Sequence, residues 1–264
     1  MPEPEPMPDV QNMMKDERLM AIQKVGVKGL HYPIVLLDKV NSVQHTTALV
    51  NLYADLPYEF KGTHMSRFIE VFDNYRDDLS MPQFLRMLDG IRTALAAETS
   101  YADIHFPYFL EKKAPVSGRS AMMSYECAYR GKVGSGGKEF DVVVSVPVQT
   151  VCPCSKAISA CGAHNQRGIV TLTVALGPFF WIEDLVSLVE DSASCGVYTL
   201  LKREDEKFVT ERAYNNPRFV EDLVREVYLR VSALGQFPKF SVEAENFESI
   251  HNHSAYAYVE YPEG

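Results

Sequence analysis

Over residues 22–38 ("IQKVGVKGLHYPIVLLD") and 44–56 ("QHTTALVNLYADL") apolar and polar positions partly alternate, and β-branched side chains are frequent. A period of two predicts strands. The period then lengthens. In "MSRFIEVFDNY" Phe68, Ile69 and Phe72 mark one face of a helix that begins near Ser66, its candidate cap. In "SMPQFLRMLDGIRTALAAE" Phe84, Leu85, Leu88, Ile91 and Leu95 recur at helical spacing, with Ser80 ahead of them and Pro82 suited to a first turn.

Strand patterns return over about 101–113, 118–131 and 138–148, the last two joined through the glycines of "GKVGSGGKE". A further strand is predicted over 168–176, then a helix over about 179–191 and a short one in "DEKFVTERAYNN". Asn216 and Pro217 read as the cap and first turn of "RFVEDLVREVYLRVSAL", whose buried stripe is Val220, Leu223, Val227, Val231 and Leu234. "KFSVEAEN" and "HSAYAYVEY" close the chain as strands.

Two strands, two helices and two strands thus occur twice. That order predicts an α+β fold of two tandem modules, with long antiparallel hairpins and the helices on one side. The expected divisions are a proline- and acid-rich tail at 1–18, a first module at 19–135 and a second at 136–264, the two modules forming one structural unit.

Composition narrows the function. The chain has 264 residues, 46% of them apolar and 23% charged, the balance of a soluble globular protein. No apolar run reaches the roughly 18 residues that span a bilayer. The start, "MPEPEPMPDVQNMMKDE", lacks the basic-then-apolar order of a signal peptide, so the expected compartment is the cytoplasm, with no membrane partner. A net charge of −9 argues against a non-specific nucleic-acid binder. It leaves room for a local cationic pocket that takes a phosphorylated small molecule. Five cysteines in such a chain point to packing, metal binding or reactivity before a disulfide framework.

Three of the five lie in "VCPCSKAISACGAHNQRG", residues 151–168, between two strand patterns. Cys152 and Cys154 flank one proline, a spacing that closes into a disulfide only with strain. Two small apolar side chains at a strand end are one reading of the pair. The other rests on their company. Lys156 stands close enough to favour a thiolate, and His164 sits in a glycine-flanked polar stretch with little core to pack into. A thiolate and an imidazole returned to one place by an irregular loop suit zinc or another divalent transition metal. A catalytic site of that kind needs a third protein ligand and keeps one position open for water.

Other acids and histidines have ordinary readings as well. The acids beside Lys202 and Arg203 suit a solvated helix start. Glu221 lies at the flank of an apolar helical stripe, either on the surface or facing a cleft. Glu248, His251 and His253 precede the last strand, where two histidines at i, i+2 would share a face. Residue types and spacing therefore leave a metal-dependent enzyme and plain loop polarity both open.

The cysteine stretch resembles the "PCPCSK…GAHNQR" signature of the type IB GTP cyclohydrolases. The resemblance continues in "KGTHMSRF" (61–68), "LLKREDEKFVTERAYNNPRFVEDLVR" (200–225) and "ENFESIHNHSAYA" (245–257), and covers nearly the whole chain beyond the tail. The departure is Val151, where the family has proline.

The resemblance implies a tunnelling fold and assembly into a homotetramer with interfacial active sites. It also implies hydrolysis of GTP at guanine C8, with release of formate and formation of 7,8-dihydroneopterin triphosphate, the first step toward tetrahydrofolate. The implied metal ligands are Cys152, His164 and Glu206, holding one divalent ion (zinc, manganese or iron). Such an ion lowers the pKa of bound water from about 15.7 toward about 7.

Electron density that builds on the imidazole ring calls for a proton donor near N7; His251 is the first choice and His253 the second. Guanine presents N1–H and a 2-amino group side by side, which one carboxylate accepts as a bidentate pair. Glu221 is preferred for that anchor over Glu248, which is then expected near the metal or near His251. Cys154 is expected in the pocket, assisting catalysis or open to oxidation. Lys61, His64, Arg67, Lys156, Arg167, Lys202 and Arg203 are the candidate triphosphate ligands. The competing functions are a nitrile reductase-like enzyme of the same fold, with a cysteine nucleophile, and a non-catalytic, zinc-stabilised binding protein.

Overall fold

The computed structural model describes residues 18–175 and 177–262, so the expected tail lies, Arg18 apart, outside the described residues. Among the described residues the chain forms β1 (Ile22–Asp38), β2 (Ser42–Leu56), α1 (Met65–Asp73), α2 (Met81–Ala94), β3 (Ser100–Lys113), β4 (Ser120–Gly134) and β5 (Gly137–Val151). It continues with α3 (Pro153–Ile158), β6 (Asn165–Ala175), α4 (Ile182–Ser192), β7 (Cys195–Gly196), α5 (Arg203–Asn215), α6 (Val220–Leu234), β8 (Phe240–Glu248) and β9 (Ala255–Tyr261). The α+β class expected from the alternation of periods holds. Hydrogen bonding orders the strands β1-β2-β3-β4-β5-β6-β8-β9, with β7 beside β5.

The chain divides into two compact units. The first comprises residues up to Leu37, Asn41–His105 and Tyr129–Phe140. In it β2 and β3 pair antiparallel from Leu49↔His105 to Ala54↔Ser100. The row Ala48, Val50, Leu52 of β2 and Ala102, Ile104 of β3 is buried with Phe68 and Phe72 of α1 and Phe84, Met87, Leu88 and Ile91 of α2. Phe84 meets Tyr129 and Phe140 edge-on, at centroid distances of 6.2 and 5.0 Å. Residue 131 must be glycine for that packing, because a Cβ there would lie 2.5 Å from the Phe84 ring and 2.9 Å from the Glu139 carbonyl. The cap of α1 is His64, so Ser66 lies inside the first turn and does not cap it.

The second unit comprises Asp38–Val40, Phe106–Ala128 and the chain from Asp141 onward. Here β5 and β6 pair antiparallel from Asp141↔Ala175 to Val151↔Asn165, and β6 pairs β8 from Val174↔Phe240 to Gln166↔Glu248. Even-numbered residues of β6 are buried and odd-numbered ones are not, the signature of a sheet with one covered face. Helix α6 buries Val220, Leu223, Val227 and Val231 as its spacing predicts. Leu234 does not join them; it is the last helical residue, 48% exposed, and the chain turns away through Gly235 at φ 64°.

Two local expectations fail for one reason. Asn216 does not open α6 but ends α5, where its Nδ2 donates to the carbonyls of Ala193 (3.0 Å) and Ser194 (3.4 Å). The N-cap of α6 is Phe219, whose N–H is accepted by Asp222 Oδ2 at 3.1 Å. Tertiary acceptors outcompete the local preference of asparagine for an N-cap. The stretch expected as an irregular loop also holds one helical turn, α3, opened by Pro153.

Candidate functional site

The open end of the β5–β6 ladder carries the reactive side chains. Beyond the last register pair, Val151↔Asn165, the N–H of Cys152 donates to the carbonyl of His164 at 3.2 Å. Pro153 has no N–H to continue the ladder and its ring suits a helix start, so the chain leaves the sheet there. Cys152 thereby becomes the N-cap of α3, and its Sγ accepts the N–H of Ser155 at 3.4 Å. Ser155 also reaches across the loop, where its Oγ accepts the N–H of His164 at 3.1 Å. One serine thus ties both residues in place.

The His164 ring is held separately. Its Nδ1 lies 3.1 Å from Oε1 of Gln166, a side chain only 6% exposed. An amide oxygen can only accept, so this contact is a hydrogen bond when Nδ1 carries a proton. Neither Ser155 nor Gln166 figured among the candidates. Gln166 was legible as the one amide in the buried row Gln166, Gly168, Val170, Leu172 and Val174.

The register Gln166↔Glu248 brings the end of β8 beside this pair. The chain then turns, so that His251 N–H reaches the Glu248 carbonyl at 3.3 Å and His251 Nε2 lies 3.5 Å from Glu248 Oε2. The rings of His251 and His253 stack at 4.9 Å. Both histidines precede β9 in a turn, so their shared face comes from ring stacking and not from strand alternation.

The remaining candidates scatter. Glu206 is exposed in the first turn of α5, but helical periodicity sets it on the face that carries Val209 and Ala213. Those two pack in one cluster with Cys195 and with Val151 and Ala163, the chain neighbours of Cys152 and His164. A thiol, an imidazole and a carboxylate are donors that fit a divalent transition metal. Among the described residues, no three His, Cys, Asp or Glu side chains close into one metal-holding group. Glu221 is exposed in the first turn of α6. Cys154 is exposed on α3, and all five cysteines are free.

Among the cations, Arg167 lines a cavity of about 530 Å³ with Gln149, Gly196, Tyr198 and Thr199, and a second of about 400 Å³ with Asn165, Phe247 and Ser249. Lys202 and Arg203 line a third, of about 480 Å³, with Ser117 and Arg119. Lys156 donates to the Tyr214 carbonyl and lies over its ring at 4.3 Å, which ties α3 to α5. Lys61, His64 and Arg67 belong to the first unit, where Arg67 Nη1 donates to the Ala94 carbonyl at 3.0 Å.

One buried and one half-buried carboxylate shape the walls. Asp205 accepts the N–H groups of Val116, Ser117 and Lys202, each at 2.8 Å, and the Ser117 hydroxyl at 2.6 Å. Burial pushes its pKa up, but these hydrogen bonds outweigh that and hold it well below the usual carboxylate range. Glu190 accepts from Lys112 Nζ at 2.6 Å and from the Tyr125 hydroxyl at 2.8 Å. Burial, then the Glu190 charge, pushes the Tyr125 hydroxyl far up. Lys112 also donates to the Val197 carbonyl at 2.7 Å and lies 4.3 Å over the Tyr198 ring, which fixes the segment that walls the Arg167 cavity.

The family described as "Type I GTP cyclohydrolase folE2" matches residues 7–257. The chain is 56% identical over 254 residues to the GTP cyclohydrolase FolE2 of Syntrophus aciditrophicus, across 96% of this chain and 99% of that one. It is 53% identical over 256 residues to the GTP cyclohydrolase FolE2 of Geotalea uraniireducens, across 96% and 93%. Among solved structures, uricase from Arthrobacter globiformis superposes with a TM-score of 0.55 at 8% identity, over 90% of this chain and 92% of that one, which is a likeness of fold.

Proposed function

The chain belongs to the type I GTP cyclohydrolase FolE2 family, and on that premise we propose how its residues divide the work of opening GTP. The protein is an enzyme, a GTP cyclohydrolase of folate biosynthesis. The reaction takes GTP and one net water to formate and 7,8-dihydroneopterin triphosphate: guanine C8 leaves as formate, and the opened product recloses with carbons of the ribose. The IB subdivision is finer than the matched description and rests on the signature at 151–168.

The observation that carries the site assignment is the pairing of Cys152 with His164 at the end of the β5–β6 ladder. In this reading Cys152, His164 and Glu206 hold one divalent ion, either zinc, manganese or iron. When bound, such an ion supplies Lewis acidity that lowers the pKa of water at neutral pH. The placement of Glu206 on the α5 face that packs beside Val151 and Ala163 supports it as the third donor.

His251 delivers the proton to guanine N7, and its contact with Glu248 supports that role, because the carboxylate 3.5 Å from Nε2 can orient the ring. Glu248 is then engaged with His251, which supports Glu221 as the carboxylate that accepts guanine N1–H and the 2-amino group. Cys154 borders the site. Arg167, Lys202 and Arg203 line open cavities, which supports them as triphosphate ligands. Lys156 contributes from its seat on Tyr214, and Lys61, His64 and Arg67 contribute from a neighbouring subunit.

That last assignment belongs with a homotetramer of tunnelling-fold subunits, each built of tandem modules 19–135 and 136–264. The recurrence of strand pairs around helices supports the modules. The terminal positions of β1 and β9 in the strand order support assembly edge to edge. In this reading the location is the cytoplasm. Among the described residues no helix is long and apolar enough to cross a membrane.

The test is incubation of the protein, loaded in turn with zinc, manganese and iron, with GTP. Formate and a fluorescent pterin after oxidation are expected. Absence of both with every metal overturns the reading.

A further inference from the structure

Gln166 is a polar side chain in an apolar row. It is 6% exposed at the head of Gly168, Val170, Leu172 and Val174, on the covered face of β6. Burying an amide costs free energy unless it is hydrogen-bonded, so an amide kept in such a row has work to do. Its Oε1 faces Nδ1 of His164 at 3.1 Å. The main chain of His164 is held independently by Cys152 N–H and by Ser155 Oγ. With backbone and ring each held, the imidazole retains little freedom of position.

The register sets polar neighbours beside the amide. Gln166 stands in register with Thr150 on one side and Glu248 on the other, and directly opposed residues of antiparallel strands share a face. Two positions along, a Cβ at Gly168 would meet Asn246 Oδ1 at 2.3 Å, so the missing side chain is what admits Asn246 to the same polar end of the row. A neutral amide in this place differs from the carboxylate that often backs a metal-binding histidine. It accepts from Nδ1–H without adding a charge beside the thiol and carboxylate donors.

We propose that Gln166 is a positioning residue that fixes His164 in the Nδ1–H tautomer and so presents Nε2 as the metal donor. The inference rests on the reading of His164 as a ligand. The same glutamine stands, by register, between that ligand and the Glu248–His251 pair.

The first measurement needs no Gln166 variant. The full-length protein, labelled with ¹⁵N-histidine and stripped of metal with a chelator, is examined at a pH where the ring is neutral, and His164 is assigned as the signal lost in His164→Ala. The expected spectrum has a protonated Nδ1 and a bare Nε2; a protonated Nε2 overturns the proposal. The second uses Gln166→Met, similar in length but without the acceptor, and Gln166→Glu, which restores one. Zinc affinity by chelator competition is expected to fall about 10–100-fold in Gln166→Met. It should stay within a few-fold of wild type in Gln166→Glu, with the Nδ1–H spectrum retained. Unchanged tautomer and unchanged affinity in Gln166→Met overturn the proposal while leaving His164 as a ligand. Wild-type zinc affinity in His164→Ala overturns the ligand reading, and the proposal with it.

Discussion

Ser155 Oγ accepts the main-chain N–H of His164 at 3.1 Å, and the N–H of the same serine points at Cys152 Sγ at 3.4 Å. Two residues that are twelve apart in sequence are therefore braced by a third that touches both. Ser155→Ala removes the acceptor and leaves a half-buried N–H unpaired, at a cost of about 1 kcal/mol. Zinc affinity is expected to drop roughly 10-fold with the far-ultraviolet circular dichroism unchanged. Ser155→Thr, which keeps the oxygen, should stay near wild type. Chelator competition on the three proteins checks this.

Cys152→Ala and His164→Ala should each lose the bound metal and, with it, formate production. Elemental analysis of the purified variants gives the stoichiometry directly. A full complement of metal in either one would show that the donors have been misassigned. Glu206→Ala is expected to behave as they do, since a four-coordinate catalytic site is held by three protein donors and the variant keeps only two.

Glu221→Gln should keep its metal and lose guanine. Replacing the carboxylate removes one half of a bidentate, charge-assisted pair and weakens the other. The resulting loss of GTP affinity is on the order of 10²-fold. Glu248→Gln is the control, with near-normal GTP binding and slower formate release, because Glu248 lies against the His251 ring. Isothermal titration with GTP at fixed metal separates the two; the reverse pattern would exchange their roles.

Asp205 should make the second unit sensitive to acid. Its folded pKa lies below the unfolded carboxylate value, so the charged form stabilises the fold above about pH 4. That contribution is lost as pH falls below about 4 toward the folded pKa. Asp205→Asn cannot accept all four donors, and is expected to melt several degrees lower at pH 7. The gap from wild type should narrow below about pH 4. Thermal unfolding between pH 3 and pH 7 tests the sign; a gap that widens in acid refutes it.

Lys112→Ala should cost about 1–3 kcal/mol, because the Glu190 carboxylate, with side-chain exposure of only 15%, then keeps the Tyr125 hydroxyl but loses its cation. Lys112→Ala combined with Glu190→Gln should recover part of the loss, since no uncompensated charge then remains. Urea denaturation measures both. The single variant should also loosen Val197 and Tyr198, which wall the Arg167 cavity.

The strands and most helices were legible because their information is local. The alternation in "NQRGIVTLTVA" and the apolar stripe of α6 follow from periods of 2 and 3.6 residues, set by backbone geometry. The resemblance of the cysteine stretch to a family likewise needed only adjacent residues. What failed was local preference read without neighbours. Asn216 looked like a helix start and became a helix end, because Ala193 and Ser194 offer it carbonyls. The acids after Lys202 looked solvated, yet Asp205 is buried under Val116 and Ser117.

The candidate site divides the same way. The sequence by itself determined which donors exist: a cysteine before a proline, a histidine in a polar stretch, a glutamine on an apolar row. It also determined the hydrophobic periods that made strands of the segments around them. Only the tertiary structure decided that these donors meet. Cys152 faces His164, and Gln166 faces Glu248, because the β5–β6 and β6–β8 ladders adopt these registers. A shift of either register by one residue would turn every side chain to the opposite face. Register is a long-range property, chosen by which rows of side chains bury together, and no single stretch of the chain encodes it.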